Sequence, residues 1–407
     1  RPAVRPLAIS DSFTVVEDST TAAASNQFNV LGNDVAHNGA SLVLKSFTQP
    51  ANGTVTQNGN LLLFTPSADF NGSTTFTYVI NDSLEGTTDG GVDSTGTVSI
   101  TVQEVNDAPF AVGDTTSTNE DTVLTFAASS LTGNDSRGPT NEAGQTLTVS
   151  LPSGATSLGG TVTLAGGQIT YTPPKDINDA NGGPDTFVYR ITDNGTTQGA
   201  PNPLSADGTV TISLVAVNDA PIATNDSKST AEDTAVTITG ISLVTNDKPA
   251  AATATDEVGQ TLTLKSVSAS SANGGTVQLV NGDVIYTPAA DFNGADTFTY
   301  VVEDDGTSGS PAAADPKTAT GTVTVTVTEV NDAPIATNDD VIAIKNGGAI
   351  TYAPSVLLAN DKPGPANEIS QSLTIIDVGT ASTAPWSVCR TDRLSTRRTP
   401  ATKATTR

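Results

Sequence analysis

The sequence predicts an all-β protein built from β-sandwich domains in tandem, and three observations carry that expectation. The five residues Val-Asn-Asp-Ala-Pro recur at 105–109, 217–221 and 330–334, with 112 and 113 residues between successive asparagines. That period is the size of a domain, so one motif at each joint marks repetition of a domain rather than one large fold. Between the joints, Val, Ile, Thr, Tyr and Phe alternate with polar residues at period two, and Asn-Gly, Asp-Gly and Gly-Gly pairs break the chain into short segments. No stretch keeps a helical period.

Each repeat reads in the same order. Pro109, Pro221 and Pro334 fix φ and push the preceding Ala into extended geometry, which makes each joint a stiff, extended connector. Eleven residues on comes Glu-Asp-(Ser/Thr), at Glu17, Glu120 and Glu232; counting back from Glu17 puts Pro6 at the joint position. An Asn-Asp turn follows at Asp34, Asp135, Asp247 and Asp361. Next come Gly-Thr-Val from Gly53, Gly160 and Gly275, then (Tyr/Phe)-Thr-Pro at Phe64, Tyr171 and Tyr286. Asp-Thr-Phe or Thr-Thr-Phe ends at Phe76, Phe187 and Phe298, and a closing Gly-Thr-Val strand starts at Gly96, Gly208 and Gly321. In the third repeat, strands are expected at 235–239, 261–268, 275–280, 283–287, 297–303 and 320–328, plus one after Pro221. Asn58-Gly59 and Asn281-Gly282 are expected as tight hairpins, and Leu243-Val244 as one helical turn at most. Seven short strands in about 110 residues describe a sandwich. The expected domains are 1–105, 106–217, 218–330, a truncated fourth repeat at 331–385, and a basic tail at 386–407.

The 407 residues carry a formal charge of −25. Residues 386–407 hold six of the eighteen Lys and Arg and one of the 43 acids, so the rest carries twelve basic against 42 acidic residues. Such a field repels nucleic acid and anionic lipid and attracts cations. Cys389 is the only cysteine, so no intrachain disulfide forms, and bound metal is one remaining source of stability. No run of 18 apolar residues is present to span a membrane. With no Met and a first residue already inside a repeat, the chain is expected to be an internal piece of something longer. The single His37 sits where no other repeat has one, which removes hydrolytic triads, and one Cys with one His removes Cys/His zinc sites. The acids recur with the repeat, whereas a catalytic carboxylate pair occurs once on a fold. A non-catalytic protein is expected.

Asp193-Asn194-Gly195, followed by the strand from Gly208 into Val217-Asn218-Asp219-Ala220-Pro221, resembles the end of a cadherin repeat and its linker. The whole pattern over residues 6–385 is similar to the cadherin-like and Ig-like tandem repeats of large secreted bacterial surface proteins and adhesins. The resemblance implies tandem Ig-like/cadherin-like β-sandwich domains in an elongated array, with calcium (Ca2+) between domains. It also implies that Glu17, Glu104, Asn106, Asp107 and Asp193 converge at the first joint. Glu120, Asn218, Asp219 and Asp304 belong to the second joint, and Glu232, Glu329, Asn331 and Asp332 to the third; Asp82 occupies the position of Asp193 and Asp304 in the first repeat. Six to eight hard oxygens, drawn from carboxylates and carbonyls of two domains, would satisfy that ion. Three departures stand out. Ala216 replaces the linker acid at the second joint, and the central Asp-Arg-Glu element of cadherins is missing, with Asp69, Asp176 and Asp291 only nearby in sequence. Lys345-Asn346 replaces Glu-Asp in the fourth repeat. Two other readings stay open: a polar hinge whose Asp and Asn cap turns without metal, and calcium confined to loops at Asp34, Asp135 and Asp247 with Glu142 and Glu257 downstream. The function implied is an extracellular stalk or adhesin region on a bacterial cell surface. Any surface or matrix ligand would be bound by domains outside this fragment, with no nucleic acid and no membrane insertion. The alternative is an accessory spacer or carbohydrate-binding region of a secreted multidomain enzyme, although a carbohydrate-binding strip needs exposed aromatics that this aromatic-poor chain lacks.

After Ile376 the repeat pattern stops, and a basic, strandless run is expected over 386–407. One reading frame away, codon degeneracy permits a Tyr-Thr-Pro-Asn-Ala segment from Ser395 onward, at the position the period predicts for the counterpart of Tyr286. The tail is therefore expected to be a frameshift product.

Overall fold

A computed structural model describes residues 6–37, 40–82, 92–340, 351–379 and, for the backbone alone, 392–397. The chain forms two compact units, residues 1–216 and 217–407.

The first unit holds two sandwiches. In repeat 1 the strands are β1 (Asp11–Val16), β2 (Gln27–Phe28), β3 (Leu42–Phe47), β4 (Gly53–Asn58), β5 (Leu61–Pro66), β6 (Gly72–Asp82) and β7 (Ser94–Gln103). A four-stranded sheet, β1-β7-β6-β3, faces a three-stranded one, β2-β5-β4. Only β1 runs parallel to its neighbour, with Asp11 opposite Val98 and Val16 opposite Gln103. Repeat 2 follows with β8 (Asp114–Asn119), β9 (Leu124–Ala127), β10 (Thr148–Ser150), β11 (Thr161–Ala165), β12 (Gln168–Thr172) and β13 (Asp185–Thr192). A two-strand ribbon of β14 (Thr196–Thr197) and β15 (Ala200–Pro201) comes next, then β16 (Ser205–Val215). Its sheets repeat the plan as β10-β13-β16-β8 and β11-β12-β9.

The second unit opens on repeat 3: β17 (Asp226–Ala231), β18 (Val236–Ile238), α1 (Ile241–Val244), β19 (Thr263–Val267), β20 (Thr276–Val280), β21 (Asp283–Thr287) and β22 (Gly294–Glu303). The ribbon β23 (Thr307–Ser308) with β24 (Ala313–Ala314) and the closing β25 (Thr318–Thr328) complete it. The sheets are β17-β25-β22-β19 and β18-β21-β20. The strands expected for this repeat are present, and α1 is the one helical turn at Leu243-Val244. The hairpin β20–β21 turns on Asn281 and Gly282, both at positive φ (52° and 89°), as a two-residue turn of this kind requires. In repeat 1 the turn instead sits one residue later, at Gly59-Asn60, because Asn58 still pairs with Leu61.

Period-two alternation builds each core. Inward residues of both sheets meet in three separate clusters, centred on Phe64 and Tyr78, on Tyr171 and Tyr189, and on Tyr286 and Tyr300. The Gly of the closing Gly-Thr-Val has a packing cause. Gly208 lies opposite Tyr189 in register, and a Cβ there would stand 2.4 Å from the tyrosine ring. The ring lies across the glycine, and its hydroxyl donates to the Val112 carbonyl at 2.9 Å. Gly96 with Tyr78 and Gly321 with Tyr300 repeat the arrangement.

Of the fourth repeat, the described residues form α2 (Pro354–Leu357) and β26 (Ser372–Val378). The period places two early strands of this repeat at 349–352 and 372–378; the second is β26, residues 351–352 are not in a strand, and 349–350 together with Lys345-Asn346 lie outside the described residues. The tail differs from expectation. Residues 392–397 form β27 (Asp392–Arg397), antiparallel to β26 with Ser372 opposite Arg397 and Val378 opposite Asp392. An unpaired strand edge presents free N–H and C=O groups, and any extended segment within reach can satisfy them whatever its side chains. Residues 386–391 and 398–407 lie outside the described residues.

Candidate metal centre at the linkers

The first linker brings together the acids the sequence points to. Strand β1 ends by donating the Glu17 N–H to the Gln103 carbonyl at 2.9 Å, which sets Glu17 beside the start of the linker. Its buried carboxylate accepts the Val105 N–H through Oε1. Asp18, in left-handed geometry, caps the Asp69 N–H at 3.1 Å. The carboxylate oxygens of Asp18, Asp69 and Asp107 come within 4.8 Å of one another. Asp69, only nearby in the sequence, thus joins Asp107.

Repeat 2 supplies the other wall. Asp193 is 4% exposed, and its Oδ1 accepts three hydrogen bonds at 3.0 Å, from Asn106 Nδ2, Gly195 N and Leu204 N. With Oδ1 fixed, Oδ2 is buried and has no partner. Asn106 is held within repeat 2. Its Nδ2 also donates to the Asn202 carbonyl at 2.8 Å, its N–H donates to Thr197 Oγ1 at 3.0 Å, and its Oδ1 accepts Gln145 Nε2 at 2.6 Å. Glu104 is tied at Oε2 by the Thr196 hydroxyl at 2.8 Å. The turn Thr140–Gly144 adds Asn141, whose Nδ2 lies 3.4 Å from Glu17 Oε2 and 3.1 Å from Glu142 Oε1. Glu142 is 2% exposed. Burial pushes its carboxyl above the ordinary range, and the charges of Glu104, Asp107, Glu17 and Asp193 add to the rise. Burial likewise raises Glu17 against the relief of the Val105 N–H, and raises Asp107 with help from Asp18 and Asp69.

The third linker repeats this geometry within the second unit. Glu232 accepts the Val330 N–H through Oε1 and Asn367 Nδ2 at 2.9 Å through Oε2. Asp233, Asp291 and Asp332 gather within 4.8 Å, and Glu368, 1% exposed, accepts the Asp332 N–H at 3.0 Å. Asn331 departs from Asn106: it is exposed, and its Nδ2 lies 3.1 Å from the Asp332 carbonyl.

At the second linker each unit presents residues of its own. In the second unit, Asn218 Nδ2 donates to Asp304 Oδ1 at 2.8 Å, and Gly306 and Lys317 add N–H donors at 3.1 and 2.9 Å, leaving Oδ2 without a partner. Asp219 N donates to Glu257 Oε1 at 3.2 Å. Burial raises Glu257 to about 7, opposed by that hydrogen bond and helped by Asp256, Asp219 and Asp304. In the first unit, Glu120 accepts Asn178 Nδ2 at both oxygens, each at 3.2 Å.

These donor sets fit a hard divalent cation. Buried carboxylate and amide oxygens without partners recur in one pattern: Asp107 Oδ2, Asp193 Oδ2, Asn141 Oδ1 and Gln145 Oε1 at the first linker; Asp332 Oδ2, Glu368 Oε2, Asn367 Oδ1 and Gln371 Oε1 at the third. Buried polar atoms ordinarily find partners, and a charged oxygen left alone is costly. Hard oxygens drawn from two domains are what calcium takes.

The sequence misplaced one element and missed one. The Asn-Asp turns hold strand β1 and its counterparts: Asp34 Oδ1 accepts the Ile9 N–H at 2.7 Å, and Asp135 and Asp247 do the same to Val112 and Thr224. Glu142 and Glu257 lie instead at the linkers. The missed signal is (Asn/Asp)-Glu-x-x-Gln, at Glu142, Glu257 and Glu368, which places amide and carboxylate on one turn.

Residues 4–101 and 106–213 match the family model described as Bacterial Ig domain, and 217–327 the one described as Cadherin-like domain. No curated protein matches the sequence. Among solved structures, mouse protocadherin-24 EC1-3 is similar, with 16% identity and a TM-score of 0.44 over 78% of this chain and 96% of that one. Mouse cadherin-23 EC22-24 is similar at 15% identity and a TM-score of 0.41, over 79% and 96%. The chain belongs to the bacterial Ig domain family, as a tandem-repeat region whose third repeat is a cadherin-like domain.

Proposed function

We propose that this chain is a non-catalytic repeat region of an extracellular stalk or adhesin on a bacterial cell surface, stiffened by calcium at its linkers. One observation carries the reading. Buried, partnerless oxygens recur around Asp107 with Asp193 and Glu142, and again around Asp332 with Glu368, in two separate units of one chain. At the first linker Glu17, Asp18, Asp69, Asp107, Glu142 and Asp193 would hold the ion, and at the third Glu232, Asp233, Asp291, Asp332 and Glu368. Bound there, calcium supplies the positive charge that lets these carboxylates lie together. The chain does the remainder itself: Glu17 clasps the linker backbone, and Asn106 binds the linker to repeat 2 while turning the Asp193 carboxylate inward. The acidic surface would favour cations and disfavour nucleic acid.

Calorimetric titration of the chain with calcium, against magnesium as control, tests the reading. Binding with Kd of about 10⁻⁴–10⁻³ M is expected for extracellular calcium modules, and Asp107→Ala should remove heat from one class of sites. Absence of calcium binding at 10 mM, or an unchanged titration of Asp107→Ala, overturns it.

A further inference from the structure

A sandwich leaves strand edges open, and in repeat 3 two of them border one groove. Among the described residues, β17 pairs with β25 on one side and with no strand on the other, and β18 likewise pairs only with β21. Ser227, Lys228 and Ser229 of β17 face Val236 to Thr239 of the β18 segment across a cavity of about 640 Å³, which Ser242 and Thr326 also line. None of these residues is aromatic, and Lys228 is the only charged one.

Strand register identifies the counterparts in the other repeats. Asp226 stands opposite Val323 as Asp11 stands opposite Val98, so Lys228 holds the place of Phe13. Ile238 lies opposite Val284 as Phe28 lies opposite Leu62, so Ile238 holds the place of Phe28. In repeat 1 the rings of Phe13 and Phe28 stack at this edge, with centroids 4.1 Å apart and planes 4° apart. Repeat 2 has Thr116 and Phe126 there. Of the three, repeat 3 alone puts a charge at this position. The half-buried Lys228 reaches over to Ser242 Oγ at 3.3 Å and forms no ion pair among the described residues. Asp226, on the same strand, has its Oδ1 3.4 Å from Asn246 Nδ2 instead.

We propose that the groove between β17 and β18 of repeat 3 binds an extended, acidic polypeptide segment, which adds along the free edge of β17 and sets a carboxylate on the Lys228 ammonium. The open edge fixes the class of partner. Unpaired N–H and C=O groups take up a strand through its main chain, and alternate side chains of that strand supply the selectivity. Six residues of β17 span about 20 Å, enough for a partner strand of similar length. Lys228 then selects an acid, and the hydroxyls of Ser227, Ser229, Thr237 and Thr239 suit a polar strand at the rim. A saccharide would instead call for a stacking aromatic, which the groove lacks. The net acidic surface repels such a segment elsewhere, so the lysine also fixes the place. Repeat 1 closes the same edge with its stacked rings.

The test is titration of the isotope-labelled full chain with the peptide acetyl-Val-Thr-Asp-Thr-Val-amide, followed by backbone amide chemical shifts. In an extended peptide its Val, Asp and Val share one face. Shifts are expected at 226–231 and 236–239, and the peptide with Asn in place of Asp should bind about tenfold more weakly, the loss of one charge-assisted hydrogen bond. Lys228→Gln should erase that preference at an unchanged melting temperature. Lys228→Phe with Ile238→Phe restores the pair found in repeat 1 and should abolish binding; if that pair fails to fold, Lys228→Gln decides alone. No shift at millimolar peptide, equal affinity for the Asp peptide and one carrying Lys, or a preference kept by Lys228→Gln overturns the inference. So does stronger binding of an oligogalacturonate at the same amides, which would make the groove a saccharide site. Self-association of Lys228→Gln with no peptide bound by the wild type would make Lys228 a guard of the edge only, and also overturns it.

Discussion

Two residues that change together show how one contact is written into three copies. Tyr171 donates its hydroxyl to Asp185 Oδ2 at 2.8 Å, and Tyr286 does so to Asp296 Oδ2 at 2.7 Å, both inside a core. Repeat 1 has Phe64 and Thr74 at the same places, so hydroxyl and carboxylate leave the core as a pair. Tyr171→Phe should cost about 1–3 kcal/mol, because it leaves a buried carboxylate short of a donor. Thermal melting reads this as a fall of roughly 4–8 °C per kcal/mol for the affected domain. Burial raises the Asp185 carboxyl, but hydrogen bonds from Thr156, Leu158, Tyr171 and Ser157 outweigh it and hold the group below its ordinary 3.8. A depressed folded-state value contributes stability above the unfolded value and loses it as pH falls through the folded one. Asp185→Asn should therefore flatten the decline of melting temperature below about pH 4. An unchanged acid profile would show that Asp185 does not couple folding to protons.

At the scale of elements, the linker is seated by the ribbon that follows β13. A Cβ at Gly195 would lie 1.7 Å from Asn106 Oδ1, and one at Gly306 equally close to Asn218 Oδ1. Each glycine leaves room for a linker amide in its own repeat. Gly195→Ala should expel Asn106, free Asp193 Oδ1 of one donor and destabilise by about 1–3 kcal/mol. Calcium affinity of the first linker should fall with it, and a titration that matches wild type would separate the seat from the metal site. The ribbons β14–β15 and β23–β24 are two residues per strand, too short for any periodicity to show. The (Asn/Asp)-Glu-x-x-Gln turn was legible as letters; its place at the linker was not, since no local rule says which loop of a sandwich faces which strand end.

At the scale of the whole molecule, both units carry the same partnerless oxygens, so metal should act on both. At ten times Kd, one site adds about 1.4 kcal/mol of folding stability. Differential scanning calorimetry should show calcium raising the melting of both units. Asp107→Ala should remove the increment from residues 1–216, and Asp332→Ala that from residues 217–407. Equal loss in both units from either variant would contradict independent sites.

What the sequence determined by itself was whatever lies within one strand or one period. Alternation named the strands, the recurrence of Val-Asn-Asp-Ala-Pro named the repeat, and Asn281-Gly282 named the hairpin of the third repeat, because each rests on backbone geometry over a few neighbouring residues. It also singled out Glu17, Asp107 and Asp193 as candidates, since their motifs recur with the repeat. Only the tertiary structure decided how they are used. It gave the Asp34 turn to a strand start, drew Asp18, Asp69 and Glu142 to the linker, and placed Asn178 on Glu120. Those outcomes depend on segments that meet 25 to 124 residues apart in sequence. Such contacts are selected by how two sheets pack and where a loop's length lets it fold back, and no residue carries that information alone.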